Sequence, residues 1–414
     1  MKKILWLCNI AFSDIKIKTT ASWLQPLAEL LQASSEVQLY NITLGNTTKV
    51  EQTNYKGIHQ WIIPNNQCYN HGQEATAKVY NLISDIEQQI SPDLVHIWGT
   101  ESIWADAYRK GYIKSKALLD IQGLLALCYH FYNGGLSTRN ILQSIHLKEI
   151  IMPWRNLFEK KRIFKKRAKI ETQNIKSFSF ISYQSKYVRN YISYINPQAK
   201  TYSTKIMLRD SFYNAKPWTF KKTDSPIIFT TASGAIPYKG IHILFKSIQI
   251  IKKKYPKIQL RIAGQMKIGN LLIDGYSIYL EKLIQKYDLN QNIVLLGPLD
   301  ETNIVKELQN CNVCVIPSFV ETYCLAFAES LIIGVPTIAT FVGAMPELAT
   351  HNKECLFYNP LDFYMCAYYI DLLLTDKDLA EQISSNARKK RLLENDKKEV
   401  IINQLNIYEN IINI

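Results

Sequence analysis

"SFVETYCLAFAESLIIGVPTIAT", Ser318 to Thr340, is almost entirely apolar or small, yet it holds two carboxylates, Glu321 and Glu329. It follows the apolar run "NCNVCVIP" and ends in "PTIAT". A buried strand, a loop, a helix starting near Cys324 and a second strand fit that order, with Gly334 a natural stop before Val335 and Pro336. Glu321 then sits in the loop before the helix and Glu329 on its second turn. A helix N-terminus offers unpaired N–H groups and the positive end of its dipole, so it can hold a diphosphate, and carboxylates beside it can accept hydrogen bonds from sugar hydroxyls. A plainer reading is equally open here: Glu321 caps the helix and Glu329 is solvated on an exposed edge.

Outward from this segment, short apolar runs alternate with longer amphipathic ones, the pattern of βαβ units and parallel sheets covered on both faces. "KILWLCNI", "VQLYNITL", "DLVHIWG", "KALLDIQG" and "FSFISYQS" are the expected strands of the first half. "PIIFTTAS", "IQLRIAG", "NIVLLGPL", "CNVCVIPS", "PTIATFV" and "CLFYNP" are those of the second. A chain of 414 residues suits two domains. The expected boundaries are 1–207, a linker at 208–226, a second domain at 227–390 and a helical segment at 391–414, with packing back onto the first domain as an option. Two doubly wound α/β domains in series are expected to turn their strand carboxyl ends to a central cleft, where ligands of such sheets bind.

Apolar residues are 47% and charged residues 20%, which excludes a disordered or low-complexity chain. The formal charge of +14 points to an anionic partner without choosing among nucleic acid, acidic membrane and phosphorylated small molecule. Eight cysteines scattered through apolar runs suit free thiols and a cytoplasmic setting. The opening "MKKILWLCNIAFSD" reads as a buried strand rather than a signal peptide, because its apolar run is short and leads into "IKIKTT". No stretch reaches the ~18 uncharged apolar residues of a membrane span, so membrane contact is expected to be peripheral.

"SFVETYCLAFAESLIIGVPTIATFVGAMPEL" resembles the signature of family 4 retaining glycosyltransferases of the GT-B fold, a Glu, seven residues and a second Glu ahead of "GVP" and a later Gly-to-Glu segment, here "GAMPE". The resemblance extends through "IIFTTASGAIPYKGIHILFKSI", "PKIQLRIAG", "NIVLLGPLD" and "LFYNPLDFYMCAYYIDLLL", and more weakly through "ISPDLVHIWGTES", "LLDIQGLL" and "FISYQSKYVRNYI". It implies two Rossmann-like domains, a nucleoside-diphosphate sugar as donor, a glycan or lipid-linked acceptor, and no metal or other cofactor. Glu321 becomes the contact to the donor sugar, Tyr323, Cys324 and Leu325 the segment whose backbone amides meet sugar and phosphate, with Thr322 beside them in the donor site, and Glu329 the ribose clamp. Lys239 of "SGAIPYKG" would stabilise the leaving diphosphate and, with Glu321, forms the implied catalytic pair. Ser233, Gly234, Gly264 and Leu299 complete the implied donor site. Thr19, Thr20, Gln122 and Gly123 are the expected acceptor side, and Asn140 with Gly134 and Gly135 a further acceptor loop or a plain turn.

Three positions depart from the family pattern. Ser233 stands where an Arg is usual, which removes a bidentate phosphate donor. Gln122 replaces a His and cannot titrate. Cys324 replaces a Gly. "CNVC", Cys311 to Cys314, has half the spacing of a zinc site but no second pair and runs into a strand, so core packing is expected. "WRNLFEKKRIFKKRAKIETQNIK", Trp154 to Lys176, carries nine basic and two acidic residues, with Leu157, Phe164, Ala168 and Ile175 on one helix face. It suits an anionic membrane surface or a core helix with a solvated basic back; nucleic acid is not expected. The reaction implied is sugar transfer with retention, in surface polysaccharide, capsule or lipopolysaccharide synthesis. A nucleotide-sugar epimerase and a non-catalytic partner subunit are the alternatives.

Overall fold

Eleven of the apolar runs are strands of two parallel sheets. The computed structural model describes residues 1–14, 23–65, 74–145, 149, 156–232, 234–266 and 274–414. They form two compact units, one of Met1–Ala126, Ile163–Met207 and Asn395–Ile414, the other of Leu127–Arg162 and Leu208–Glu394.

In the first unit the strands are β1 (Lys2–Leu7), β2 (Val37–Gly45), β3 (Glu51–Tyr55), β4 (Ile58–Pro64), β5 (Leu94–Trp98), β6 (Ala117–Ile121), β7 (Phe180–Tyr183) and β8 (Lys200–Ser203). Their order is β3-β4-β2-β1-β5-β6-β7-β8, and only the β3/β4 pair is antiparallel. The central strands β5 and β6 are buried along their whole length, as parallel strands covered on both faces must be. The closing helix Lys397–Ile412 is part of this unit: its Tyr408 hydroxyl accepts from Trp6 Nε1 at 2.9 Å and lies 2.8 Å from His96 Nδ1.

In the second unit β9 (Ile227–Ala232), β10 (Gln259–Gly264), β11 (Ile293–Gly297), β12 (Val313–Ile316), β13 (Thr337–Thr340) and β14 (Leu356–Tyr358) are all parallel, in the order β11-β10-β9-β12-β13-β14. Counting from β9, this is the 3-2-1-4-5-6 order of a Rossmann sheet, and the direction of winding reverses between β9 and β12. The loops that leave those two strands are therefore next to each other. Both sheets being Rossmann-like, the fold is the GT-B type expected from the sequence.

The units divide the chain differently from the expected 1–207, 208–226, 227–390 and 391–414. Leu127–Arg162 packs with the second unit because Gly134 lies against the Pro237 backbone: a Cβ there would fall 2.2 Å from the Pro237 carbonyl oxygen. The 208–226 segment is no free linker. It forms a short helix, Asp210–Tyr213, and its buried Trp218 donates from the backbone to Ile333 O at 3.0 Å and from Nε1 to Cys311 O at 2.8 Å. The boundary near the C-terminus falls between Glu394 and Asn395.

Candidate functional site

Lys239 and Glu321 meet where the winding of the second sheet reverses. After β9 the chain makes a short turn, Pro237–Lys239, closed by Gly240 in the left-handed region (φ 72°). After β12 it runs through Ser318 to Cys324 into the helix Leu325–Ile333. Lys239 Nζ donates to Glu321 Oε1 at 2.7 Å, and Ser318 Oγ donates to the same oxygen at 2.6 Å. Thr340 Oγ1 in turn donates to the Ser318 carbonyl, and Phe319 N to the Tyr238 carbonyl at 2.7 Å, so the two loops are tied together. Burial alone would lower the Lys239 ammonium, but the Glu321 charge and, behind it, the Cys324 sulfur push it up to about 12. The residue is therefore a fixed cation at any physiological pH.

The helix beyond Glu321 starts and stops as its sequence suggests, with Cys324 (φ 74°) before it and Gly334 (φ 82°) after it. Cys324 thus takes, with a side chain, a backbone conformation that Gly adopts freely. The Cys324 carbonyl accepts from Phe327 N and Ala328 N, while the N–H groups of Leu325 and Ala326 in the first turn donate to no backbone carbonyl among the described residues. Those amides face the end where the dipole favours an anion. The Glu321 carbonyl accepts from Ala344 N at 3.0 Å, which fastens the segment from Gly343 to Glu347 to the loop.

Glu329 is buried on this helix, among residues 327–333 that are all buried. Burial raises its carboxyl, and Arg209 opposes that rise through an Nη2 to Oε1 bond of 2.6 Å. The solvated-edge reading of Glu329 does not hold, and Glu321 accepts from two side chains rather than capping the helix. Sequence reasoning missed Arg209, which lies in the polar stretch read as a linker, and also Ser318.

Of the remaining expected donor residues, Gly234 follows β9, Gly264 ends β10 beside Ala232, and Leu299 is half-buried after β11, just before Asp300 caps the helix Glu301–Asn310. Thr322 and Tyr323 lie in the loop between Glu321 and Cys324. Ser233, Thr19 and Thr20 fall outside the described residues. Gly134 and Gly135, read from the sequence as an acceptor loop or a plain turn, lie in the second unit. The Gly134 carbonyl accepts from His242 Nε2 at 3.0 Å; that fixes the tautomer, so His242 Nδ1 accepts from Tyr276 OH at 2.8 Å. Burial pushes this imidazole down to about 3, keeping it neutral. Cys311, which caps the helix Glu301–Asn310, and Cys314, inside β12, are both buried, and burial pushes the Cys314 thiol up to about 12.

In the first unit Gln122 and Gly123 follow β6, and Gly123 O accepts from Thr100 Oγ1 at 3.2 Å. What holds this turn is Glu171, a buried carboxyl from the basic helix Leu157–Ser177 that the sequence reading passed over. It accepts from Thr100 Oγ1 at 2.5 Å and from Leu125 N and Ala126 N at 3.0 Å each. Burial pushes Glu171 up to about 7, as it does Asp120 on β6. A carboxyl raised in the folded state favours folding most at acid pH and loses that contribution as pH rises through the folded value. The stability advantage of wild type over Glu171→Gln is therefore expected to shrink between about pH 5 and pH 8. Melting curves of both proteins across that range check this, and a gap that is constant or widens removes Glu171 as the titrating group.

Comparisons with known proteins bear on this site and on the fold. The uncharacterized glycosyltransferase YqgM of Bacillus subtilis is 29% identical over 178 residues, 43% of this chain and 47% of YqgM. The capsular polysaccharide biosynthesis glycosyltransferase CapM of Staphylococcus aureus is 27% identical over 37% of this chain and 38% of its own. The matched part of the chain thus spans less than half the length of these curated relatives. Among solved structures, sucrose-phosphate synthase of Thermosynechococcus elongatus superposes with a TM-score of 0.73 at 15% identity, covering 99% of each chain. Residues 214–390, which hold Lys239, Glu321 and Glu329, match the family described as glycosyl transferases group 1.

Proposed function

We propose that the chain is a retaining glycosyltransferase that moves a sugar from a nucleoside-diphosphate sugar to a glycan or lipid-linked acceptor in surface polysaccharide synthesis. The observation that carries this reading is the Lys239–Glu321 pair at the sheet's reversal point, beside the open amides of the Leu325–Ile333 helix. A cation and helix amides together match a diphosphate, and a carboxylate beside them matches sugar hydroxyls. The similarity to CapM supports a polysaccharide product.

In this mechanism Lys239 and the Leu325 and Ala326 amides bind the diphosphate and stabilise the charge that grows on it as the bond to the anomeric carbon breaks. Glu321 holds the sugar and Glu329 the ribose. The acceptor hydroxyl attacks from the side the diphosphate leaves, and its proton passes to the departing phosphate oxygen, which preserves the anomeric configuration. No side chain of the site is needed as a covalent nucleophile, and charge neutralisation falls to Lys239 rather than to a metal ion.

A lipid-linked acceptor would bring the protein to an anionic membrane from the cytoplasmic side. The helix Leu157–Ser177 supports that, since Arg162, Lys165, Lys166, Lys169 and Lys176 are exposed along it and Phe158 is 52% exposed. No described helix is long and apolar enough to cross a membrane.

The test is thermal stabilisation by UDP-, GDP- and ADP-sugars, comparing wild type with Lys239→Ala and Glu329→Ala. One donor should raise the wild-type melting temperature; Glu329→Ala should abolish the shift and Lys239→Ala should only reduce it. Stabilisation by none of them would favour a non-catalytic partner subunit; turnover of the donor without any acceptor would favour an epimerase.

A further inference from the structure

We infer that Arg209 is a positioning residue of the donor site, which orients the Glu329 carboxylate and keeps it available to the nucleoside of the donor. The inference rests on the donor-site reading above and adds to it a residue from outside every motif that led there. Arg209 ends the extended stretch before the short helix Asp210–Tyr213, which packs on the helices Glu301–Asn310 and Leu325–Ile333. Its Nη2 donates to Glu329 Oε1 at 2.6 Å, its Nε lies 4.0 Å from Glu301 Oε2, and its guanidinium carbon stands 4.9 Å from the centre of the Phe212 ring. The two paired side chains are only 12% and 11% exposed. A planar guanidinium held by two carboxylates and a ring has one orientation, so it hands that orientation to Glu329.

The arrangement leaves work for only one oxygen of Glu329. Oε1 is engaged by Arg209, while Oε2 has no hydrogen-bond partner among the described residues. A carboxylate fixed at one oxygen and open at the other is suited to accept from a vicinal diol. The groups that face Glu329 are Arg209, which stabilises its charge, Glu301, which opposes it, and the Cys314 thiol of β12. Arg209 is the sole cation among them. Without it, burial and Glu301 act together against ionisation.

The test uses the full chain in four forms: wild type, Arg209→Lys, Arg209→Met, and Arg209→Met combined with Glu329→Gln. Binding of UDP, GDP and ADP is measured by titration calorimetry, each variant being expressed as a ratio to wild type so that ionisation of the nucleotide cancels. For the diphosphate bound best, Arg209→Met should bind at least about tenfold more weakly near pH 6, with the deficit narrowing toward about pH 8.5 as Glu329 ionises. Arg209→Lys should recover part of the loss, since it restores the charge but not the fork. The double variant should bind weakly at every pH without that slope. Melting temperatures give a readout free of nucleotide: relative to wild type, Arg209→Met should lose stability as pH rises, and Glu329→Gln should cancel the trend.

A folded Arg209→Met that binds as wild type does, or whose deficit is the same at every pH, overturns the inference and leaves Arg209 a plain structural staple. If that variant does not fold, the double variant decides, because it removes both buried charges; wild-type affinity there overturns the inference as well. Failure of the donor-site reading itself shows differently, as a wild type that binds none of the three diphosphates, and it takes this inference down with it.

Discussion

Lys239→Met is expected to lower kcat for sugar transfer by about two to three orders of magnitude while the protein stays folded. Methionine keeps an unbranched stem that can lie where the lysine stem does, beside the Tyr238 ring, but it removes the charge. That charge is fixed in place: the ammonium is bound to Glu321 at 2.7 Å and pushed up to about 12, so it does not have to be recruited or protonated as the diphosphate leaves. An electrostatic group of this kind acts on charge that develops in the transition state, so the loss should appear in kcat and only modestly in KM. Glu321 loses one of its two donors in the variant and keeps Ser318, which limits the structural cost. Steady-state kinetics at saturating donor decide it. A kcat within threefold of wild type would remove Lys239 from the chemistry, and a loss confined to KM would make it a ground-state binder only.

The sequence displayed the second sheet better than the first. All six of its strands stand out as apolar runs because each is parallel and most are covered on both faces. In the first unit β3 and β8 are edge strands with mostly exposed or half-buried residues and no apolar run to find, and β4, which is not among the expected strands either, has its apolar residues broken by His59 and Gln60. The β3/β4 hairpin does carry a local signal, Lys56–Gly57, both with positive φ (49° and 86°), which suits a tight two-residue turn. Site residues divide along the same line. Glu321 and Glu329 were conspicuous as carboxylates in an apolar stretch, an anomaly that the chain itself displays. Arg209 and Glu171 were not, because an Arg in a polar segment and a Glu in a basic helix look ordinary until the fold buries them. Their partners lie far away along the chain, Glu329 in one case and Thr100 and Leu125 in the other. The placement of Leu127–Arg162 with the second unit was hidden for a related reason: it depends on a backbone-to-backbone approach at Gly134, which leaves no trace in hydrophobic periodicity.

Gly240→Ala tests how tightly the reversal point is built, and its effect on stability should be among the largest of any single methyl addition in the chain. Gly240 is the cap of the Pro237–Lys239 turn and simultaneously the start of the helix Ile241–Ile251, donating to Pro237 O at 3.0 Å and accepting from Ile243 N at 2.9 Å and Leu244 N at 3.2 Å. At φ 72° an alanine costs about 1 kcal/mol or more in backbone strain alone. Its Cβ would also fall 1.8 Å from the Pro317 carbonyl oxygen, a backbone atom that cannot swing aside like a side chain. Relief requires the β9 and β12 loops to separate, so the strain adds to about 2–4 kcal/mol of lost stability. Separation also draws Lys239 away from Glu321, so whatever folds should bind the donor poorly. Gly123→Ala serves as the comparison for stability, because a Cβ there meets nothing within 4 Å, and it should change folding free energy by less than about 0.5 kcal/mol. Urea melts of the three proteins give the comparison. If Gly240→Ala were as stable as Gly123→Ala, the loops could part at little cost, and the Lys239–Glu321 pair would be held by its own charges rather than imposed by the packing beneath it.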